Sequence, residues 1–449
     1  MKKYYIICTC LMLIVFSSCK KFLDPKPSQS LAVPSTLEDL QALLDDQGTI
    51  NSRDIASGEI SADDYYLTST DWTALPYEEN RRLYTWANDR TSRPSPNDWS
   101  YAYKIVLSSN IVLDNIEHID RNTANQTTWD YVKGQALFTR AKQFLSIALT
   151  WSPAYDPATA ATDLGVPLRL TEDFNTPSVR ANVQDSYAQV VSDLKKAASL
   201  MIDVPVAKTR ASRPAAWGLL ARTYLAMSSY DSCFKYTNLY LQKQHDLIDY
   251  STEITATATK PFARYNKEVC YDSYISNTIL AVSRAKIDSN LYKSYNANDI
   301  RKTAFFRNNN NGTYGFKGNY SLNLFGGIST NEVYLMRAEC YARLSNKDAA
   351  LSDLNLLMAK RWKTSAFVPF TATTAQDALK IILVERRKEL LMRGLRWMDI
   401  KRQNKENANI VLARTVNSQT YTLSPNDLRY ALSIPEDVIS LSGIPQNRR

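Results

Sequence analysis

Two stretches of the chain share one spacing, and that spacing restricts the fold more than any other feature. Ala221, Tyr224 and Cys233 stand at relative positions 0, 3 and 12; Ala338, Tyr341 and Ala350 repeat those offsets, with Leu354 four further on. Small residues let two helices approach, and the tyrosine one turn later fills the gap beside them, so each stretch predicts a helix-turn-helix pair. The two tyrosines lie 117 residues apart, so the pairs are dispersed along the chain and do not form a tandem array.

Small, aromatic, then small across a helix-turn-helix is the tetratricopeptide pattern. Other helices follow from apolar residues recurring every three or four positions. Ser35 with Glu38 makes a capping box ahead of Leu37, Leu40, Leu43 and Leu44. The stripe returns at Trp99, Tyr103, Val106, Asn110 and Leu113. It resumes near Leu137, Ala141, Phe144, Leu145 and Ala148, and stops before Trp151-Ser152-Pro153. Asn182 with Asp185 opens a helix carrying Val183, Tyr187, Val190, Val191 and Leu194, and a last helix runs from Ala375 through ERRKELLMRGLRW to Arg402. Two stretches break the pattern. Residues 45–98 lack a steady period and carry Tyr65, Tyr66, Trp72, Tyr77, Tyr84 and Trp86. Residues 250–330 are polar, aromatic and rich in Asn and Gly, which predicts loops and short strands inserted into a helical body. Only 12 glycines in 449 residues argue against collagen, a propeller or an array of tight hairpins, whereas 27 Tyr, 8 Trp and 13 Phe supply many flat surfaces.

Lys2 and Lys3 precede an uncharged run from Tyr4 to Phe16, which fits a signal-peptide core and is too short to span a bilayer comfortably. Ser17, Ser18 and Cys19 follow, a spacing similar to a bacterial lipoprotein signal, in which the cysteine is acylated and becomes the first mature residue. The alternative is an ordinary cleaved signal with an incidental cysteine. Acyl chains contribute ~0.8 kcal/mol per buried CH₂, so several of them hold a protein on a membrane. The sequence thus predicts a signal over 1–18, a proline-bearing tether over 19–34 and one domain over 35–449. Removing residues 1–18 takes two lysines from a formal charge of +9 and leaves +7. Beyond Cys19 only Cys233, Cys270 and Cys340 remain, an odd number without close spacing, which argues against a disulfide framework or a CxxC metal site.

Catalytic patterns are sparse. HExxH, GxSxG, Walker A and GxGxxG do not occur. His118 and His245 read as surface residues, and the adjacent carboxylates Asp63-Asp64 and Glu78-Glu79 as solvated surface. The cluster Glu385, Arg386, Arg387, Lys388, Glu389, Arg393, Arg396, Asp399, Lys401 and Arg402 is basic enough to suggest nucleic acid, but its interleaved acids make a charge-paired helix the simpler account. The reading is of a protein that is no enzyme and binds neither metal nor nucleic acid.

A series of segments resembles one family in order: Cys19-Lys-Lys-Phe-Leu-Asp24; Trp99-Ser-Tyr-Ala-Tyr-Lys-Ile-Val with Asn110; Gly134-Gln-Ala-Leu-Phe-Thr-Arg-Ala141; and Leu164-Gly-Val-Pro-Leu168. Glu332-Val-Tyr-Leu-Met-Arg-Ala-Glu-Cys-Tyr341, Glu385-Arg-Arg-Lys-Glu-Leu, Gly394-Leu-Arg-Trp-Met-Asp-Ile-Lys-Arg402 and Ile434-Pro-Glu-Asp-Val-Ile with Gln446-Asn447 follow. The chain resembles the SusD/RagB family of outer-membrane nutrient-binding lipoproteins of Bacteroidetes. The resemblance implies a mostly α SusD-like fold: about eight tetratricopeptide-like helices as scaffold, plus a loop-rich region with short strands. It implies a non-catalytic protein without cofactor, lipid-anchored to the outer membrane and facing the cell surface. Its partner would be a SusC-like TonB-dependent transporter, and its ligand an oligosaccharide or polysaccharide, or in some members a peptide.

Binding residues in this family fall in the loops before the Trp99-type helix and in the late insertion, here residues 63–98 and 270–326. Both are the aromatic-rich, aperiodic stretches identified above. Loops run over surfaces and carry function, and flat rings suit the apolar face of a sugar. Trp72 and Tyr77 are therefore expected as stacking platforms, Arg81 or Asn97 as hydroxyl partners, and Tyr292, Tyr295 and Tyr314 as a second wall. Packing within each loop is the competing explanation for any one ring. The competing functions are capture of peptides by the same architecture, and a helical-repeat adaptor holding another protein.

Overall fold

The computed structural model describes residues 34–88 and 94–449. The signal, Cys19 and nearly all of the tether lie outside the described residues, as do residues 89–93 of the first loop. The fold is mostly helical. Eight helices follow one another through space in chain order: α1 (Asp98–Ile116), α2 (Gln126–Trp151), α3 (Val183–Leu200), α4 (Arg213–Ala226), α5 (Tyr230–Leu241), α6 (Thr330–Arg343), α7 (Lys347–Ala359) and α8 (Ala375–Glu389). Each packs against the next, and α6 also touches α8.

The residues of the repeated spacing are the contact residues. Ala221, Cys233, Ala338, Ala350 and Leu354 are completely buried. Tyr224 stacks on Tyr236 at 5.7 Å and Tyr341 meets Phe234 edge-on at 4.8 Å, so both tyrosines close the helix pairs from a half-buried position. Helix α2 begins at Gln126, well before the expected start near Leu137. Gly134 conceals that first half in the sequence. A β-carbon there would come within 2.6 Å of Met201, so the glycine lets α2 and α3 touch.

Two helix ends differ from expectation. The first capping box is Thr36 with Asp39, one residue beyond Ser35 and Glu38: Thr36 Oγ1 accepts from Asp39 N (3.1 Å) and Asp39 accepts from Thr36 N (3.1 Å). Asn182 caps α3 as expected, accepting from Asp185 N at 2.7 Å. The long final helix is two helices. Helix α8 stops at Glu389, Met392 and Gly394 take φ values of 58° and 75°, and α9 (Arg396–Lys405) restarts in a new direction.

Six two-stranded antiparallel sheets lie among the described residues. One of them joins the two aperiodic stretches, pairing Tyr65 with Ile287 and Tyr66 with Lys286. Around it most of the loop rings turn inward. Tyr65, Tyr84, Tyr295, Phe305, Phe306, Phe316, Tyr320 and Phe325 form a second hydrophobic core beside that of the scaffold.

The charged C-terminal motif is the largest departure from expectation. Glu385, Arg386, Lys388, Glu389, Arg393, Asp399, Lys401 and Arg402 are all buried, as is Asp64, so neither the charge run nor the Asp63-Asp64 pair is a solvated face. Arg301 donates to Asp299 (2.7 Å), Glu385 (2.5 Å) and Glu389 (3.1 Å); Arg361 donates to the other oxygen of Glu389 (2.8 Å) and to Glu268 (2.6 Å). Arg402 bridges Glu339 (2.6 Å) and Asp399 (2.9 Å), and Arg386 also holds Asp399 (2.9 Å). Lys401 donates to the carbonyls of Leu149 (2.7 Å) and Ser152 (2.6 Å), closing the C-terminus of α2. Arg301, Arg361, Arg386 and Arg402 each face a carboxylate, which offsets the cost of burying them, although both Nη atoms of Arg386 lack a hydrogen-bond partner among the described residues.

Glu389 is the shared node of two buried guanidinium groups. Glu389→Gln strands part of both, and is expected to cost ~3–5 kcal/mol. Urea unfolding of the purified protein reads this as a lower midpoint at unchanged slope; an unchanged midpoint would remove the network from the list of what holds the fold.

Candidate functional site

The two aperiodic stretches meet at a cavity of about 310 Å³ open to solvent. Tyr77 and Asn97 come from the first stretch, Ser276, Asn277 and Thr278 from the second, and Arg53 and Tyr101 complete the lining.

Each lining residue is held by its neighbours. Tyr77 precedes the helix Glu78–Thr85 and is 42% exposed. The turn that presents it is tied down by Arg81, which donates to Glu78 (2.6 Å and 2.8 Å) and to the Leu75 carbonyl. Trp72 Nε1 reaches the Arg81 carbonyl at 3.4 Å, and its ring packs on the second core. Behind them Tyr84 is buried, its hydroxyl accepting from Leu67 N (2.7 Å), and Trp86 Nε1 donates to the Ser61 carbonyl (3.0 Å). Asn97 is buried and caps α1 in a reciprocal box with Ser100 (3.0 Å and 2.8 Å). Tyr101 follows in the first turn of α1, and the Arg53 guanidinium lies 4.5 Å from the centre of its ring. Arg53 stands between two anchors: Asn51 Nδ2 donates to the Asp272 carbonyl (2.8 Å), and Asp54 accepts from Ser273 Oγ (2.6 Å). No carboxylate among the described residues pairs with Arg53. Asn277 Oδ1 caps a short turn by accepting from Ile279 N (3.0 Å), which leaves its Nδ2 for a ligand.

Of the seven expected ligand residues, Tyr77 and Asn97 line the cavity and five do not. Trp72 and Arg81 form the frame behind Tyr77. Tyr295 is a correction: it is 1% exposed, its hydroxyl donates to the Lys388 carbonyl (2.7 Å), and Phe306 covers its face edge-on, so it belongs to the interior. Tyr292 and Tyr314 stack on each other at 3.6 Å and 16°, so each covers one face of the other, and neither lines this cavity. The second wall is instead the strip Ser276–Thr278. That strip, Arg53 and Tyr101 were missed. Tyr101 carried a signal, because it sits off the buried stripe of its own helix between Trp99 and Tyr103; Arg53 and the strip carried none.

The carboxyls nearby are engaged structurally. Asp98 accepts from Ala56 N (2.9 Å), Ser57 N (2.8 Å) and Ser57 Oγ (2.6 Å), and burial nevertheless pushes it above the usual carboxylate range. Burial would raise Asp63 too, but Arg396 and Arg387 overcome it and hold the group at about 2. Glu59, on the short helix Ser57–Ser61 that backs the cavity, accepts one bond from Gly394 N (2.8 Å) while its Oε1 finds no partner. Burial, with Asp64 adding to it, pushes Glu59 up to about 8. Among the described residues no group of His, Cys, Asp or Glu is arranged to hold a metal ion, and His118 and His245 are exposed.

Residues 21–225 match the SusD-like family described as "Starch-binding associating with outer membrane", and residues 328–447 match the family described as "SusD family". The chain belongs to the SusD/RagB family. Solved structures agree on the fold. A putative sugar binding protein from Bacteroides vulgatus superposes with a TM-score of 0.76 at 20% identity, over 93% of this chain and 99% of that one. A SusD superfamily protein from Bacteroides thetaiotaomicron gives 0.75 at 21% identity, over 92% and 100%. A SusD-like carbohydrate binding protein from Bacteroides vulgatus gives 0.68 at 19% identity, over 91% and 97%. No curated protein sequence is significantly similar to the chain.

The two carboxyls behind the cavity act on stability in opposite directions. Asp63, held low, contributes stability above its ordinary pKa that disappears as pH falls toward about 2. Glu59, raised, contributes stability that is complete at low pH and disappears as pH climbs through about 8. Glu59→Gln should therefore melt higher than the parent at about pH 9 and lose that advantage near about pH 5. Thermal melts across that range check it; a difference independent of pH would contradict the assignment.

Proposed function

We propose that this protein captures a glycan at the Tyr77 cavity, without catalysis, and delivers it to a SusC-like TonB-dependent transporter. Family membership supports the carbohydrate class and the outer-membrane setting. The observation that carries the reading is the cavity itself: two chain stretches remote in sequence meet there around an exposed tyrosine. The Tyr77 ring offers a flat apolar face to a pyranose, while Arg53, Asn277 and Tyr101 offer donors to its hydroxyls. Trp72 and Arg81 serve that face by fixing the turn beneath it. Tyr292 and Tyr314, already stacked, are assigned to the frame as well.

Calorimetry against a panel of polysaccharides, with peptides as a parallel arm, tests this directly. A glycan that binds the parent should bind Tyr77→Ala more weakly by ~1–3 kcal/mol, on the scale of base–aromatic stacking. Unchanged affinity in a folded variant removes Tyr77, and binding of peptides alone replaces the ligand class.

The spacing of Ser17, Ser18 and Cys19 supports a lipid anchor at Cys19, and among the described residues no helix is long and apolar enough to cross a membrane. Cys19→Ser should move the protein from the membrane fraction to the soluble fraction of cells. Retention of the variant in the membrane fraction would mean that something other than an acyl anchor holds it.

A further inference from the structure

The strip Ser276–Thr278 has a second side. It also lines a larger hollow of about 500 Å³, so the two cavities are neighbours across three residues. Their charge differs. The Tyr77 cavity is lined by Glu79 and Asp98 as well as Arg53, whereas the larger hollow is lined by Lys260, Arg307 and Lys317 and by no carboxylate.

Among the described residues no acid neutralises any of the three cations. Arg307 donates to the neutral oxygens of Asn309 (3.0 Å and 3.3 Å) and of the Val282 carbonyl (3.3 Å). Lys317 donates to the carbonyls of Ala256 (3.0 Å) and Ala258 (2.8 Å). Lys260 is exposed and has no ion pair among the described residues; the acid of the adjoining surface, Glu253, is taken by Lys267 at 2.7 Å. Burial pulls the Lys317 ammonium below the usual lysine range, a cost that a bound anion would offset. Between the cations the lining is neutral and suited to hydroxyls, with Thr257, Asn319 and Asn323 beside the apolar Phe316 and Leu324. Three like charges line one concave hollow, so an anion entering it is attracted by all three at once.

We infer that the larger hollow binds the anionic group, carboxylate or sulfate, of an acidic sugar residue whose neighbour in the same chain occupies the Tyr77 cavity. This rests on the glycan reading above and narrows it to acidic glycans. The modest net charge of the protein is not the argument; the concentration of unpaired cations in one hollow is.

The test uses two matched pairs of probes on the purified protein: trigalacturonate against its methyl ester, and a dextran sulfate oligosaccharide against the unsulfated oligosaccharide. Calorimetry is expected to show at least one charged probe binding about tenfold or more tighter than its neutral partner. Lys260→Gln combined with Arg307→Gln should abolish that preference and leave circular dichroism unchanged, both side chains being exposed. Preference in the first pair alone identifies a uronate, in the second alone a sulfate ester. Equal affinities within both pairs, or a preference that survives the double substitution, overturn the inference. If a neutral glycan binds in a Tyr77-dependent way while charge makes no difference, the glycan reading stands and only this inference falls. If no sugar of any kind binds, both fall.

Discussion

The charge network centred on Glu389 is the constraint on which the rest of the molecule depends. Hydrophobic burial explains how the scaffold helices pack, because their small residues and half-buried tyrosines fit one another. It also gathers the rings of the two aperiodic excursions into the second core. Ion pairs add the directional ties between those excursions and the scaffold. Helices α8 and α9 reach the late insertion through Arg301, reach its beginning through Arg361 and Glu268, and reach the first excursion through Arg387 and Arg396 to Asp63 and Asp64. Arg414 of the final hairpin adds bonds to the carbonyls of Tyr84, Ile60 and Ala62. Removing one partner of a buried pair costs ~3–5 kcal/mol, so these pairs add directional ties to the apolar contacts that hold the excursions.

The same anchoring explains what the rings do. A loop rich in tyrosine and phenylalanine can bury its rings or display them, and this protein does both. Once Tyr65 is paired with Ile287 and the excursions are tied to α8, the rings between them have little choice but to face each other. Tyr295 stands between the cations Arg301 and Lys388, at 5.5 Å and 4.9 Å, so it serves the network as much as the core. Tyr77 escapes because it precedes a short helix whose inward face is already filled by Tyr84 and Trp86.

Much of the scaffold was legible in the sequence. Apolar stripes and caps located α1 and α3 and the start of α8, and the repeated spacing located the pairs α4–α5 and α6–α7, because each is governed by residues within a turn or two of one another. The start of α2 was hidden by Gly134, whose purpose is contact with Met201 far along the chain. The break between α8 and α9 was hidden because Met392 gives no sign of its left-handed backbone. The site was legible as two regions and not as residues. Whether a tyrosine in a loop faces inward depends on Arg301 finding Glu389 across 88 positions, and no local pattern carries that information. The charged motif itself was visible, but surface pairing and buried pairing look the same in a sequence.

Hydrogen–deuterium exchange with and without a bound oligosaccharide examines the central claim most directly, since it reports on both excursions at once. The account predicts that amides around Tyr77, in the first turn of α1 and along Ser276–Thr278 are protected together, with the interior strands near Tyr295 unchanged. Protection confined to the scaffold helices, or to one excursion without the other, would contradict a ligand site built where the two meet.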